Sequence, residues 1–397
     1  MRILVAPDSF KGSLSAMEVA RAMERGVLSV LPDATVIKIP VADGGEGTVE
    51  TLVEATGGRI QHATVADPLG RPVTAIWGIL GDGATAVIEM ATASGLPLVS
   101  KQERNPLTAT SYGTGQLLKA ALDQGLRRII IGLGGSATND GGAGLAQALG
   151  ARFQDGAGEA LPLGAAALAH LTAIDLDGLD PRLAHSSILV ACDVDNPLCG
   201  PRGASAVFGP QKGATPAMVQ ELDRALATFA GIAARTTGKD IARQPGAGAA
   251  GGLGAGLLFF TDARLQPGVE IVLAALSFQE RMQGVDLVIT GEGCTDAQTV
   301  MGKAPMGVAK AAAPFKVPVV CLSGGLRPGH EALLEHGVTA LMSIVPGPMP
   351  LAVCLAEAGR LVQEASARLI RLLLAGQTLG PMAAGQASSI SFPRSRR

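Results

Sequence analysis

The residues best equipped for chemistry in this 397-residue chain gather in glycine-rich stretches that follow short apolar runs. The densest is Gly132-Leu133-Gly134-Gly135-Ser136-Ala137-Thr138-Asn139-Asp140-Gly141-Gly142-Ala143-Gly144, placed after Arg127-Arg128-Ile129-Ile130-Ile131 and before Leu145-Ala146-Gln147-Ala148-Leu149. That order reads as strand, turn and helix N-terminus. Glycines let backbone N–H groups approach a ligand, Ser136, Thr138 and Asn139 carry side-chain donors, and the positive end of a helix favours an anion. A plain strand-to-helix connection with Asp140 as N-cap is the alternative reading.

Two further loops have the same construction. Pro7-Asp8-Ser9-Phe10-Lys11-Gly12-Ser13-Leu14-Ser15 follows the run Arg2 to Ala6, and Ala42-Asp43-Gly44-Gly45-Glu46-Gly47-Thr48 follows Thr35 to Ile39. Open α/β sheets bind ligands at the C-terminal ends of their strands, so two such loops on neighbouring strands should face one cleft. The competing reading has Ser15 as an N-cap, with Asp8 and Lys11 simply exposed. Later in the chain, Ser187 to Ala191 delivers Cys192-Asp193-Val194-Asp195. If that segment stays extended, alternation points Asp193 and Asp195 to one face, as a base or metal pair requires. Val285 to Thr290 delivers Gly291-Glu292-Gly293-Cys294-Thr295-Asp296, with Gly302-Lys303 beyond.

The elements that must position these loops alternate apolar runs with helical periods, which is the grammar of parallel sheets. Between them, Ile60–Ala66, Val73–Leu80 and Ala84–Glu89 are β-rich runs parted by turn chemistry and should form antiparallel hairpins. Helices are expected over 114–124, over 216–236 and over about 351–374. Residues 200–214 are too rich in Gly and Pro for a regular element. Pro245 to Gly256 contains a G-x-G-x-x-G match, but no strand precedes it, so close backbone packing is the better reading than a dinucleotide site. The expected fold is therefore α/β with two domains: a Rossmann/flavodoxin-like parallel-sheet domain from residues 1–64 plus 281–375, and an inserted mixed α/β domain over 65–280. Residues 376–397 read as a disordered tail.

Composition narrows the function classes. Hydrophobic residues make up 47%, charged residues 17% and aromatics 3%, and the formal net charge is −2 without any Lys/Arg block. That balance argues against nucleic acid or an anionic membrane as the main partner. The five cysteines lack a C-x-x-C pair and the five histidines are scattered, so neither a zinc site nor a triad is indicated. The N-terminus enters a strand pattern directly, and no apolar run reaches about 18 residues, so a cytoplasmic location is expected. Walker A and protein-kinase motifs do not occur.

Taken together, the loops at Asp8–Ser13, Asp43–Thr48, Gly134–Gly142, Pro245–Gly254 and Gly291–Lys303 resemble those of the type-1 glycerate kinases of bacteria, in order, over roughly residues 1 to 375. The resemblance implies a small-molecule kinase that phosphorylates D-glycerate at the 2-hydroxyl with ATP and Mg²⁺, in a cleft between two α/β domains. Phosphoryl transfer needs a phosphate cradle, a metal, a cation and a base. On the resemblance, Gly134, Gly135, Ser136, Asn139 and Asp140 form the cradle, and Asp8, Ser9, Ser13, Asp43 and Glu46 complete the binding loops. Lys11 and Lys303 supply the cations, while Asp193, Asp195, Glu292 and Asp296 share the base and metal roles. One departure stands out: where the family carries Arg or Lys after Gly291-Glu292-Gly293, this chain has Cys294. The missing cation removes a charge-assisted hydrogen bond, which implies weakened activity, an altered substrate, or compensation from Lys303. A kinase for another small hydroxy acid, a non-catalytic nucleotide-binding relative and a nicotinamide-dependent oxidoreductase are the other readings, and the last lacks a strand before its glycine motif.

Overall fold

A computed structural model describes residues 1–378 of the chain. Its strands, in chain order, are β1 (Arg2–Pro7), β2 (Thr35–Lys38), β3 (Arg59–Ala66), β4 (Pro72–Ile79), β5 (Thr85–Glu89), β6 (Arg128–Gly132), β7 (Arg152–Gln154) and β8 (Ala173–Asp175). They continue with β9 (Ser187–Ala191), β10 (Arg264–Gln266), β11 (Leu287–Thr295), β12 (Val319–Leu326) and β13 (Ala340–Ser343). Five of them form a sheet in the order β13-β12-β11-β1-β2, parallel throughout, in which both ends of the chain meet. The fully buried residues of β1 and β11, Ile3 to Ala6 and Leu287 to Ile289, form the two-faced apolar strands that such a sheet demands.

A second, six-stranded sheet runs β10-β9-β6-β5-β4-β3. Its β3–β4–β5 part is antiparallel, as the turn chemistry indicates, and the remainder is parallel. β3 spans residues 59–66 and pairs wholly within this sheet, so the expected boundary at 64/65 falls inside a strand. The helix Gly268–Ala275 packs Val269 and Val272 into a core that takes Leu4 and Val288 from the first sheet and Val87 and Ile130 from the second. Apolar packing is therefore continuous between the sheets.

Other elements depart from expectation locally. The Gly/Pro-rich stretch 200–214 holds a short helix, Ala204–Phe208, and a 3₁₀ turn, Pro210–Lys212. A 3₁₀ segment, His330–His336, rather than an α-helix, connects β12 to β13. The C-terminal helical region is split into Leu351–Ala356 and Ala358–Thr378. The tail assigned from residue 376 lies outside the described residues beyond Thr378.

The glycine motif at 246–251 enters the helix Ala249–Phe260, which is broken by left-handed backbone at Ala250, Gly251 and Gly252. Here the missing side chains are required: a Cβ on Gly251 would stand 1.9 Å from the Thr138 carbonyl, and one on Gly256 2.6 Å from that of Gly141. The motif thus packs backbone to backbone against the 138–142 loop. Gly251→Ala should destabilise the protein by about 2–4 kcal/mol, combining left-handed strain with overpacking. Gly359→Ala, whose Cβ would meet nothing within 4 Å, should be neutral or stabilising. Urea unfolding of the two variants checks this, and an unchanged midpoint for Gly251→Ala would contradict the packing.

Candidate active site

Strand order reverses between β1 and β11, so their C-terminal ends open the crevice that doubly wound sheets use for ligands. The Asp8 N–H donates to the Gly291 carbonyl at 2.8 Å, joining the two loops. Burial pushes the Asp8 carboxyl up to about 7; Asp43 and Glu292 add to the rise, and the Ser9 N–H and Lys11 oppose it. Glu292 is buried, and the Thr295 and Thr299 hydroxyls donate to its Oε1 at 3.0 and 2.7 Å. Burial raises its pKa, with these hydroxyls and Lys303 acting against the rise. Asp296 accepts from the Gln298 N–H and pairs with Lys303 at 3.5 Å, which holds its carboxyl low.

These loops line a cavity of about 770 Å³ whose floor carries Asp8, Ser9, Ser13, Glu292, Cys294, Asp296 and Lys303. The cavity is also lined by Arg327 and by the apolar Phe10, Val345, Met349, Leu351 and Leu355. Ser13 also donates to the Phe10 carbonyl, and Ser15 closes a capping box with Glu18 at the start of the helix Ala16–Leu28. Ser15 is therefore a cap, as the structural alternative had it, while Asp8 and Lys11 line the cavity.

A second cavity, about 780 Å³, opens at the C-terminal ends of β5, β6 and β9 and receives Asp43, Glu46, Gly134, Gly135, Ser136 and Asp193. Asp193 is exposed within it, yet enough protein crowds the carboxylate to push it up to about 6; the Gly268 N–H, donating to Oδ1 at 2.9 Å, opposes that rise. Lys11 and Asp43 lie on the walls of both cavities. A Cβ on Gly132 would stand 2.3 Å from the Gly44 carbonyl, and one on Gly134 2.9 Å from the Gly45 Cα. These glycines press the 43–47 loop against the end of β6, while Gly134 and Gly135 stay exposed to the cavity.

Three expectations need correction. Asp140 is fully buried, and its carboxylate accepts from the N–H groups of Ser111, Gly142 and Gly144 and from the Ser111 hydroxyl. Burial pulls its pKa up while these donors pull it down. It sits at the start of the helix Ala143–Ala148 as a buried acceptor whose partners are the chain's own donors, and it lines neither cavity. Asn139 is equally buried and donates to Ser205, outside both cavities. The chain is no longer a strand beyond Ala191, so alternation fails there, and Asp195 turns to solvent and pairs with Arg202. Among the described residues no three His, Cys, Asp or Glu side chains converge as a metal cage.

Two buried charged residues of the cavities, Glu89 and Lys212, were not singled out from the sequence, nor were the exposed Glu50 and Arg327. Glu89, at the end of β5, accepts from the Val49 N–H at 2.7 Å, and burial pushes it up to about 7. Lys212 is buried at 1% exposure, donates to the Ser136 hydroxyl and the Thr138 carbonyl at 2.7 Å each, and is pulled down to about 7 by burial, with Asp140 opposing. Glu89 ends a strand, the position that marked the other loops. Lys212 carried no signal beyond being, with Arg202, one of two cations in a Gly/Pro-rich stretch.

Similarity to known proteins runs along nearly the whole chain. The model of the Glycerate kinase family matches residues 3–374. A glycerate kinase of Bacillus subtilis (strain 168) is 56% identical over 351 residues, which is 88% of this chain and 92% of the relative. A glycerate 2-kinase of Escherichia coli (strain K12) is 52% identical over 345 residues, covering 87% and 91%. A crystal structure from Salmonella typhimurium LT2, assigned to a glycerate kinase 2, superposes with a TM-score of 0.88 at 50% identity, over 95% of this chain and 99% of that one. The chain belongs to the glycerate kinase family.

Proposed function

We infer that this chain transfers the γ-phosphoryl group of ATP to the 2-hydroxyl of D-glycerate across the two adjoining cavities. The observation that carries this reading is that Lys11 and Asp43 wall both of them, so a nucleotide in one and a small acid in the other would meet at those side chains. The cavity at β1 and β11 takes the nucleotide: its apolar lining residues suit a base, and Lys303 faces it among the cavity's polar residues. The cavity beside Asp193 takes D-glycerate. The cleft between the two sheets is read as the domain boundary, with residues 1–58 and the last third of the chain on the nucleotide side.

The donor set fits Mg²⁺, which takes one or two carboxylates plus substrate phosphates rather than a full protein cage. Asp8 and Glu292 would hold it, since they form a carboxylate-rich site that burial strains toward protonation in the free protein. When bound, the ion neutralises charge on the phosphates. The chain's own residues do the rest: Lys11 faces the transferred group from the seam, and Gly134 and Gly135 offer backbone to it. Asp193 accepts the proton of the attacking hydroxyl.

Glycerate-dependent ADP release by the purified, Mg²⁺-supplied protein tests the reading; folded protein that releases no ADP with D-glycerate would refute it. Cys294 lines the nucleotide cavity, in register with Gly325 of β12. Cys294→Arg should therefore lower KM for ATP by roughly tenfold, the worth of one charge-assisted hydrogen bond, and leave KM for D-glycerate unchanged. A shift confined to glycerate would exchange the two cavities.

A further inference from the structure

The side chain least explained by packing is Lys212. Buried charges in proteins are normally paired, because an ammonium removed from water loses its hydration. Lys212 lines the cavity assigned to the acid substrate and has no carboxylate within ion-pair distance among the described residues. Its two recorded acceptors are neutral, the Ser136 hydroxyl and the Thr138 carbonyl. An ammonium has three protons to donate, so one is left over.

The surroundings define what could take that proton. Behind Lys212 lies Asp140, whose carboxylate is already supplied by three N–H groups and a hydroxyl. Beside it, Arg104 donates to the carbonyl of the adjacent Gln211. The other charged groups of the cavity are Lys11, Asp43, Glu46, Glu50, Glu89 and Asp193, mostly carboxylates that repel an anion placed near them. Apart from Lys11 on the wall shared by the two cavities, Lys212 with Ser136 is the cationic donor group available to a small carboxylate here, with the exposed Gly134-Gly135 backbone adjoining Ser136 in the chain.

We propose that Lys212, held in place by Ser136 and the Thr138 carbonyl, is the group that recognises the carboxylate of the acceptor substrate, with the Ser136 hydroxyl alongside. The proposal rests on glycerate occupying this cavity. It makes Lys212 the element that selects hydroxy acids over uncharged polyols. Because burial already weakens the lysine's hold on its proton, an anion docking there restores that hold, and binding is accompanied by proton uptake.

The test compares D-glycerate with its uncharged amide, D-glyceramide, in wild type, Lys212→Met and Lys212→Gln, with MgATP binding as the check on folding. The wild type should prefer the acid by roughly tenfold to a hundredfold, and both variants should lose that preference through KM for the acid. Their affinity for MgATP should not move. Variants that bind MgATP and keep the full preference would overturn the proposal. A wild type that phosphorylates neither compound would overturn the glycerate reading and the proposal with it, so the two failures are distinguishable. A third measurement needs no variant to fold: the wild-type Kd for D-glycerate should weaken as pH rises above about 7, where free Lys212 loses its proton, and that for D-glyceramide should not. Glu89 and Asp193 ionise at or below that range and repel the acid as well, so the slope that disappears in Lys212→Met is the lysine's share. An acid profile flat from pH 6 to 9 would also overturn the proposal.

Discussion

Asp193→Asn is expected to lower kcat by about 10²-fold or more, the usual contribution of a positioned general base. The asparagine still accepts the Gly268 N–H through its amide oxygen, so the junction between the 193 loop and the helix Gly268–Ala275 survives. KM for both substrates should therefore change little. The pH profile provides a second signature. A base must be unprotonated to accept the hydroxyl proton, and the Asp193 carboxyl is pushed up to about 6. Turnover in the wild type should climb as pH rises through about 6 and then level off, and that acidic limb should vanish in the residual activity of Asp193→Asn. A variant with unchanged kcat would return Asp193 to the structural role of accepting from Gly268.

Lys11→Met is expected to lower kcat by roughly 10²–10³-fold, comparable to removing one preorganised donor from a developing anion. Lys11 is exposed and lies on the wall of both cavities, so its removal should leave the melting temperature within a degree or two of wild type. The effect should fall on turnover more than on either KM, because charge on the transferred group is greatest between the two cavities. Lys11→Arg should recover part of the rate. Turnover within twofold of wild type in Lys11→Met would move the point of transfer away from the seam and with it the assignment of the two cavities.

The two residues belong to different sheets. Asp193 hangs from the end of β9 in the mixed sheet, and Lys11 from the loop after β1 in the parallel sheet. If Asp193 and Lys11 act together as proposed, the activity depends on how the sheets sit against each other. Gly44, Gly132 and Gly268 set that relation, since a Cβ on each would collide with the backbone or side chain of a partner segment.

Local chemistry was enough to read much of this from the residues alone. Apolar runs ending in glycine and a carboxylate mark the C-terminal ends of parallel strands, because a buried strand must be apolar and its exit must turn sharply. That pattern located Asp8, Lys11, Asp43, Asp193 and Glu292, and the turn residues around Asp67–Pro72 predicted the β3–β4 hairpin that is observed. Whether a side chain beyond the strand faces a cavity or solvent is decided by the path of the loop, which no periodicity encodes; Asp193 and Asp195 part company for that reason. Asp140 shows the same limit in another form: from the sequence it could serve a ligand or a helix, and only the arrival of Ser111 from 29 residues away commits its carboxylate to the interior. Lys212 lies furthest beyond the reach of sequence reasoning. Its burial arises from a 3₁₀ turn folded onto the Ser136–Thr138 loop 74 residues earlier in the chain, and a contact of that range is set by tertiary packing rather than by any local preference of the residues that make it.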